Sequence, residues 1–129
     1  ISDGAAAIIL CHESIIPELS VPIYFKGIGH NTESIKLSDR TDLTTMSAVV
    51  KAAKNAYLMS GLTPKDINVA EIHDCFTIAE LLAIEDLGFF EKGKSGKAVE
   101  KGETELNSVI TINSSGGLKA KGHAMNMPQ

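Results

Sequence analysis

His73, Cys75 and His123 are the residues whose types and positions could carry chemistry. An imidazole exchanges protons near neutral pH, and a thiol does so where its surroundings favour the thiolate. His73 and Cys75 stand in Glu71-Ile72-His73-Asp74-Cys75-Phe76, between an alternating apolar run over 67–72 and a helical apolar run over 78–87. The first run reads as a buried strand and the second as a packed helix. Residues two apart in extended chain point the same way, so His73 and Cys75 share a side and Asp74 faces elsewhere. Thr77-Ile78-Ala79-Glu80 has the spacing of a capping box, with Phe76 and Leu81 as its hydrophobic staple. Cys75 then lies just outside a helix N-terminus, whose partial positive charge favours a thiolate. Cys11 ends the apolar run 5–11 and is expected inside the core, as the less reactive thiol.

His123 follows an alternating run over 108–112, the turn Asn113-Ser114-Ser115-Gly116-Gly117 and the segment Leu118 to Gly122. Sites in open α/β sheets gather beyond the carboxyl ends of parallel strands, so His73, Cys75 and His123 can reach one cleft. For each residue alone, a buried thiol or a hydrogen-bonded structural imidazole is the plainer reading. Two such groups at two strand ends are what favour a site.

The elements around them are legible in outline. Asp42 is placed to cap a helix running to about Ser60, with Met46, Val49, Val50, Ala53 and Tyr57 as its apolar stripe. Gly61 is placed to end it, and Pro64 to open a short helical turn. Gly88 closes the helix after Cys75, and the glycine- and charge-rich stretch 91–104 reads as a mobile surface loop. Segments 67–72 and 108–112 are expected as neighbouring parallel strands joined through the 77–87 helix. Two leading strands, 5–11 and 21–28, have no helix between them and read as the edge of a separate unit. The fold class is α/β with a partly parallel sheet.

Composition narrows the function classes. The 129 residues, 43% hydrophobic and 22% charged, suit one soluble domain with a real core. Net charge is −4 and no basic stripe is present, which speaks against nucleic acid. No apolar run reaches membrane-spanning length, and acidic Asp3 stands where a signal peptide would be basic. Two cysteines read as free thiols in a reducing cytoplasm.

Other chemistries fit less well. Gly27-Ile28-Gly29 lacks the third glycine of a dinucleotide fingerprint. Gly117 to Gly122 has Walker-A glycine spacing, but His123 and Ala124 stand where Lys and Ser or Thr should follow. A zinc site from His73, Cys75 and His123 lacks a paired ligand spacing, and Cys75 lacks a hydrolase signature. His12 and His30 lie in loops and read as ordinary surface residues.

The residues now support a resemblance. Ser2-Asp3-Gly4-Ala5-Ala6-Ala7, His73-Asp74-Cys75-Phe76 and Asn113-Ser114-Ser115-Gly116-Gly117 through Gly122-His123 resemble, in this order, segments of the thiolase superfamily. The branch is that of sterol-carrier-protein-type thiolases and archaeal acetyl-CoA acetyltransferases. The resemblance implies a partial thiolase-like fold. Residues 1–33 would be the last strands of the N-terminal half, and 34–129 an incomplete C-terminal α/β half.

It also implies chemistry on acyl-coenzyme A thioesters, with the coenzyme A thioester as substrate, no covalently bound cofactor and no metal. By resemblance His123 helps to activate a nucleophilic cysteine and stabilises the thioester oxyanion. His73 belongs to an oxyanion site for the enolate, and Cys75 acts as acid and base. Asn113, Gly116, Gly117 and Gly122 form the substrate-binding and oxyanion loop.

Two departures qualify this. Cys11 does not match the surroundings of the nucleophilic cysteine, which lies in a thiolase's N-terminal half. Ala124 replaces the proline of the Gly-His-Pro motif. The chain is therefore expected to be a fragment, inactive alone, and to partner a missing N-terminal half or further copies of itself. The alternative is a non-catalytic module that binds acyl-CoA or lipid, or serves assembly.

Overall fold

The computed structural model describes residues 3–18 and 20–123. Expectations touching Ser2 and residues 124–129 lie outside them. The regular elements are α1 (Ser47–Ser60), β1 (Val69–Ala70), α2 (Thr77–Asp86), α3 (Ser95–Glu100), β2 (Thr111–Ile112) and α4 (Gly117–Lys121). β1 and β2 are parallel, with Val69 opposite Thr111 and Ala70 opposite Ile112. This is the expected α/β arrangement, with α2 in the crossover. Beside β2, Ile110 and Ile112 donate their N–H groups to the carbonyls of Glu103 and Thr104, at 3.3 and 3.0 Å.

The two leading segments depart from expectation. Neither 5–11 nor 21–28 is a paired strand among the described residues. A strand exists by exchanging backbone hydrogen bonds with a neighbour, and among the described residues no strand pairs with these two. Their side chains lie open: Ile9 is 94% exposed and Ile23 92%. Cys11 is exposed for the same reason, not buried as expected. The covered core is accordingly smaller than the composition suggests. Among the described residues its buried apolar members are Ala83, Ile84, Ala98 and Ile110.

Gly27 and Gly29 have a role that the sequence did not reveal. A Cβ on Gly27 would fall 2.5 Å from the Ala56 carbonyl oxygen, and one on Gly29 would fall 1.8 Å from that of Ala52. This segment thus lies directly on the backbone of α1, beside Ala52 and Ala56, with the Ser60 Cβ next to Gly27.

α1 starts at Ser47, not after Asp42. Asp42 accepts the Thr44 N–H and hydroxyl, both at 2.7 Å, and the Thr45 hydroxyl at 2.6 Å. These bonds, the Thr45 hydroxyl foremost, hold its carboxyl at about 2. They close a separate turn and so keep Asp42 out of the cap. The first turn of α1 is served by distant carboxylates instead. Glu33 accepts the Ser47 hydroxyl at 2.5 Å and the Ala48 N–H at 3.2 Å, and Asp86 accepts the Met46 N–H at 2.7 Å. Gly61 ends α1 as expected, at φ 70°, with its N–H on the Tyr57 carbonyl at 2.9 Å.

α2 begins at Thr77 itself, and no side-chain cap forms. The expected capping box fails because Glu80 accepts the side-chain N–H of Asn113 at 3.1 Å. The expected staple fails with it, since Phe76 is 73% exposed. Gly88 closes α2 as expected, at φ 86°. The stretch read as a mobile loop contains α3, which docks on α2. The Ser95 N–H and hydroxyl reach Glu85 Oε1 at 3.0 and 2.6 Å, and Ala98 is buried.

Asp86 joins three elements. Its side chain is fully covered, and it accepts from Met46 and from Lys92 Nζ. Lys92 also donates to the Thr44 carbonyl at 2.9 Å. The Tyr57 hydroxyl donates to the Leu87 carbonyl at 2.9 Å and ties the far end of α1 to the end of α2.

Two predictions follow from this packing. Gly29→Ala should lift the 21–30 segment from α1, because the opposing atom is a backbone oxygen that cannot swing aside. Limited proteolysis should cut the variant faster within 21–30, and unchanged cleavage would refute the contact. Lys92→Met should lower stability by roughly 1.5–3 kcal/mol, the worth of a hydrogen bond to a charged group. It leaves a covered carboxylate on one N–H, whereas the lost ammonium was 45% exposed and little strained by burial. Thermal melting checks it, and an unchanged midpoint would show that the pair is dispensable.

Candidate active site

The expected corner is present. His73, Asp74, Cys75 and Phe76 connect β1 to α2. The alternation read from sequence holds: His73 and Cys75 are exposed, whereas Asp74 is half-buried and turned to the neighbouring loop. His123 comes to the same place from the end of α4. The His73 and His123 rings stand 5.3 Å apart, edge to face at 80°. Two imidazoles so placed can present N–H donors to one developing oxyanion. Cys75 lies at the start of α2 and is a free thiol; so is Cys11, so burial does not separate their reactivity as expected.

Asn113, Gly116, Gly117 and Gly122 build the loop that carries His123. Asn113 has φ 51°, and its side-chain oxygen accepts the Ile72 N–H at 2.8 Å. Its N–H continues the strand ladder to the Ala70 carbonyl at 2.9 Å. Gly116, at φ 88°, precedes α4. Gly117 is buried, and a Cβ there would fall 2.1 Å from Asp74 Oδ2. Gly122 takes φ 79° and ψ 163°, a combination open to glycine, and His123 follows it directly.

The sequence did not reveal the roles of the carboxylates around this loop. Glu71 accepts the Ser115 N–H at 2.9 Å, the Ser114 hydroxyl at 3.0 Å, the Ser115 hydroxyl, and Lys121 Nζ at 3.4 Å. Asp74 accepts the Leu118 N–H through both oxygens, at 3.0 and 3.2 Å. Glu80 holds Asn113 from behind, and burial, then the Asp74 carboxylate, push its carboxyl above the usual range. The available signal was parity: Glu71 shares the side of His73 and Cys75, opposite a loop of two consecutive serines.

The Ser115 hydroxyl, then its N–H, hold the Glu71 carboxyl at about 2, down from 4.5. A carboxylate depressed on folding stabilises fully above its unfolded pKa, and that stability is lost as pH falls from about 4.5 toward 2. Glu71→Gln should therefore melt below the parent at pH 7, with the gap closing toward pH 2. A gap of the same size at both pH values would show that the charge does not hold the loop.

Further polar features lie apart from this corner. Among the described residues, no three His, Cys, Asp or Glu side chains gather as a metal site. No helix there is long and apolar enough to cross a membrane. His12 sits in an exposed turn with Ser14, and His30 is exposed. An apolar groove of about 520 Å³ runs beside α1, lined by Val50, Tyr57, Leu62 and Leu87, away from the histidines.

Residues 29–127 match the family model described as thiolase C-terminal domain-like. The chain is 50% identical over 126 residues to the acetyl-CoA acetyltransferase of Methanothermobacter thermautotrophicus, covering 97% of this chain and 33% of that protein. It is 35% identical to sterol carrier protein 2 of Bos taurus, covering 96% of this chain and 24% of that one. Among solved structures it resembles the Ltp2-ChsH2(DUF35) aldolase, with TM-score 0.66 and 26% identity over 71% of this chain and 25% of the other. The chain thus spans about a third of the archaeal relative's length. With the family model covering most of its residues, and the histidine corner and glycine loop in the expected order, the chain belongs to the thiolase C-terminal domain-like family.

Proposed function

We propose that this chain supplies the C-terminal part of a thiolase-type acyltransferase site acting on acyl-coenzyme A. Residues 34–129 would be the C-terminal domain, and 1–33 the end of the preceding half. The observation that supports this most is the contact of the His73 and His123 rings, from two segments far apart in sequence. In this reading His123 takes the proton of a nucleophilic cysteine and then donates to the thioester oxygen. The acyl group passes from the coenzyme A sulfur to that cysteine, releasing the coenzyme A thiol. His73 donates to the enolate oxygen of the second substrate, and Cys75 moves the proton at its α-carbon. Asn113, Gly116, Gly117 and Gly122 shape the oxyanion loop.

Cys11 and Cys75 do not match the acyl-accepting cysteine, so that group comes from another part of the protein. The exposure of His73, Cys75 and His123 fits a site completed by further chain, and so do the open leading segments. Unpaired extended chain recruits partners, which here means the N-terminal half of a thiolase or a second copy. Free thiols fit a reducing cytoplasm.

A chimera tests this. The matched third of the Methanothermobacter acetyl-CoA acetyltransferase is replaced by this chain, and cleavage of acetoacetyl-CoA by coenzyme A is followed. The chimera should be active, and the chain alone should show no turnover. His123→Ala in the chimera should lower kcat by roughly 10²–10³-fold, as loss of an oxyanion donor does. An inactive but folded chimera that still binds acetyl-CoA would favour the non-catalytic module. Activity surviving His123→Ala would remove that residue from the site.

A further inference from the structure

Asp74 stands between the two residues proposed for chemistry and points away from both. Its carboxylate spans the Leu118 N–H with both oxygens, at 3.0 and 3.2 Å. The approach is close because Gly117 has no side chain: a Cβ there would stand 2.1 Å from Asp74 Oδ2. Leu118 is held at its other end as well. Its carbonyl accepts the Gly122 N–H at 2.8 Å, and His123 is the next residue. A continuous line therefore runs from His73 to its neighbour Asp74, to the Leu118 peptide, to Gly122 and to His123. The line returns to its start, since the His123 ring meets the His73 ring at 5.3 Å.

We infer that Asp74 is a positioning residue: by holding the Leu118 peptide against Gly117 it sets the distance between the His73 and His123 rings. The inference deepens the proposed function and takes its catalytic meaning from it. Alternative restraints are weaker at this point. Glu71 grips Ser114 and Ser115 at the start of the loop, and its contact with Lys121 Nζ, at 3.4 Å, is long and half-exposed. Asn113 fixes the strand end, four residues before Gly117. Among these, Asp74 reaches the backbone of the turn that carries His123, whereas Glu71 meets that turn through the long Lys121 side chain.

The test is nuclear magnetic resonance on the full chain, which reads geometry without requiring turnover. The parent should give a nuclear Overhauser contact between the two imidazole rings. Asp74→Ala should lose it while Val69–Thr111 and Ala70–Ile112 contacts persist as evidence of fold. Asp74→Asn keeps one acceptor oxygen for the Leu118 N–H and should retain the ring contact. A ring contact kept in Asp74→Ala, or lost equally in Asp74→Asn, would overturn the inference. Should Asp74→Ala fail to fold, amide exchange in the parent decides. The Leu118 N–H should exchange roughly tenfold more slowly than that of Lys119, the next amide of the same turn. Equal rates would overturn it. The proposed function fails by a different result, loss of acetoacetyl-CoA cleavage in the chimera, so the two can be judged apart.

Discussion

A carboxylate taken out of water must be matched by donors, or it costs the fold several kcal/mol. Asp86 is such a group, with its side chain fully covered. The Met46 N–H that it accepts lies just before α1, Lys92 lies between α2 and α3, and Asp86 itself ends α2. One desolvated charge therefore fixes the start of one helix, the end of another and the path to a third. The surrounding apolar core is small, so this requirement carries weight that a larger core would share. The Tyr57 hydroxyl on the Leu87 carbonyl ties the far end of α1 to the same end of α2.

The same physics recurs where backbone N–H groups need acceptors. Glu33 serves the first turn of α1, Glu71 serves Ser115, and Asp74 serves Leu118. In each case the carboxylate is remote in sequence from the N–H that it receives. These three carboxylates are thus tertiary links rather than local caps. His73, Cys75 and His123 stand exposed at the corner, while Asp74 is half-buried and turned to the loop that it restrains.

This explains what the sequence disclosed. Helix α1, α2 and the glycine stops at Gly61 and Gly88 depend on periodicity or on φ, and both are local; the parallel pairing follows from the strand–helix–strand order and the crossover rule. The facing of His73 and Cys75 away from Asp74 depends on strand alternation, which is local too. The start of α1 was misplaced because Asp42 spends its acceptors on Thr44 and Thr45. The capping box at Thr77 was misplaced because Glu80 answers Asn113, 33 residues away. α3 was hidden by glycines and lysines, and it forms because Glu85 takes Ser95. The leading segments are apolar as expected but are not strands, because pairing needs a neighbour that lies outside any local pattern. The roles of Glu71 and Asp74 escaped notice since their partners lie more than 40 residues away.

The seating of Gly27 and Gly29 on α1 separates attachment from display. At those two points the glycines face the Ala56 and Ala52 carbonyls, and the Ser60 Cβ is the one side-chain atom among the nearest groups. Ile23, Tyr24 and Phe25, just before them, are exposed. Their identities can change without altering how the ribbon is moored, and the mooring can fail without any change in what they present. The outward face of this segment is therefore an independent variable of the molecule, open to reshaping for whatever surface it meets.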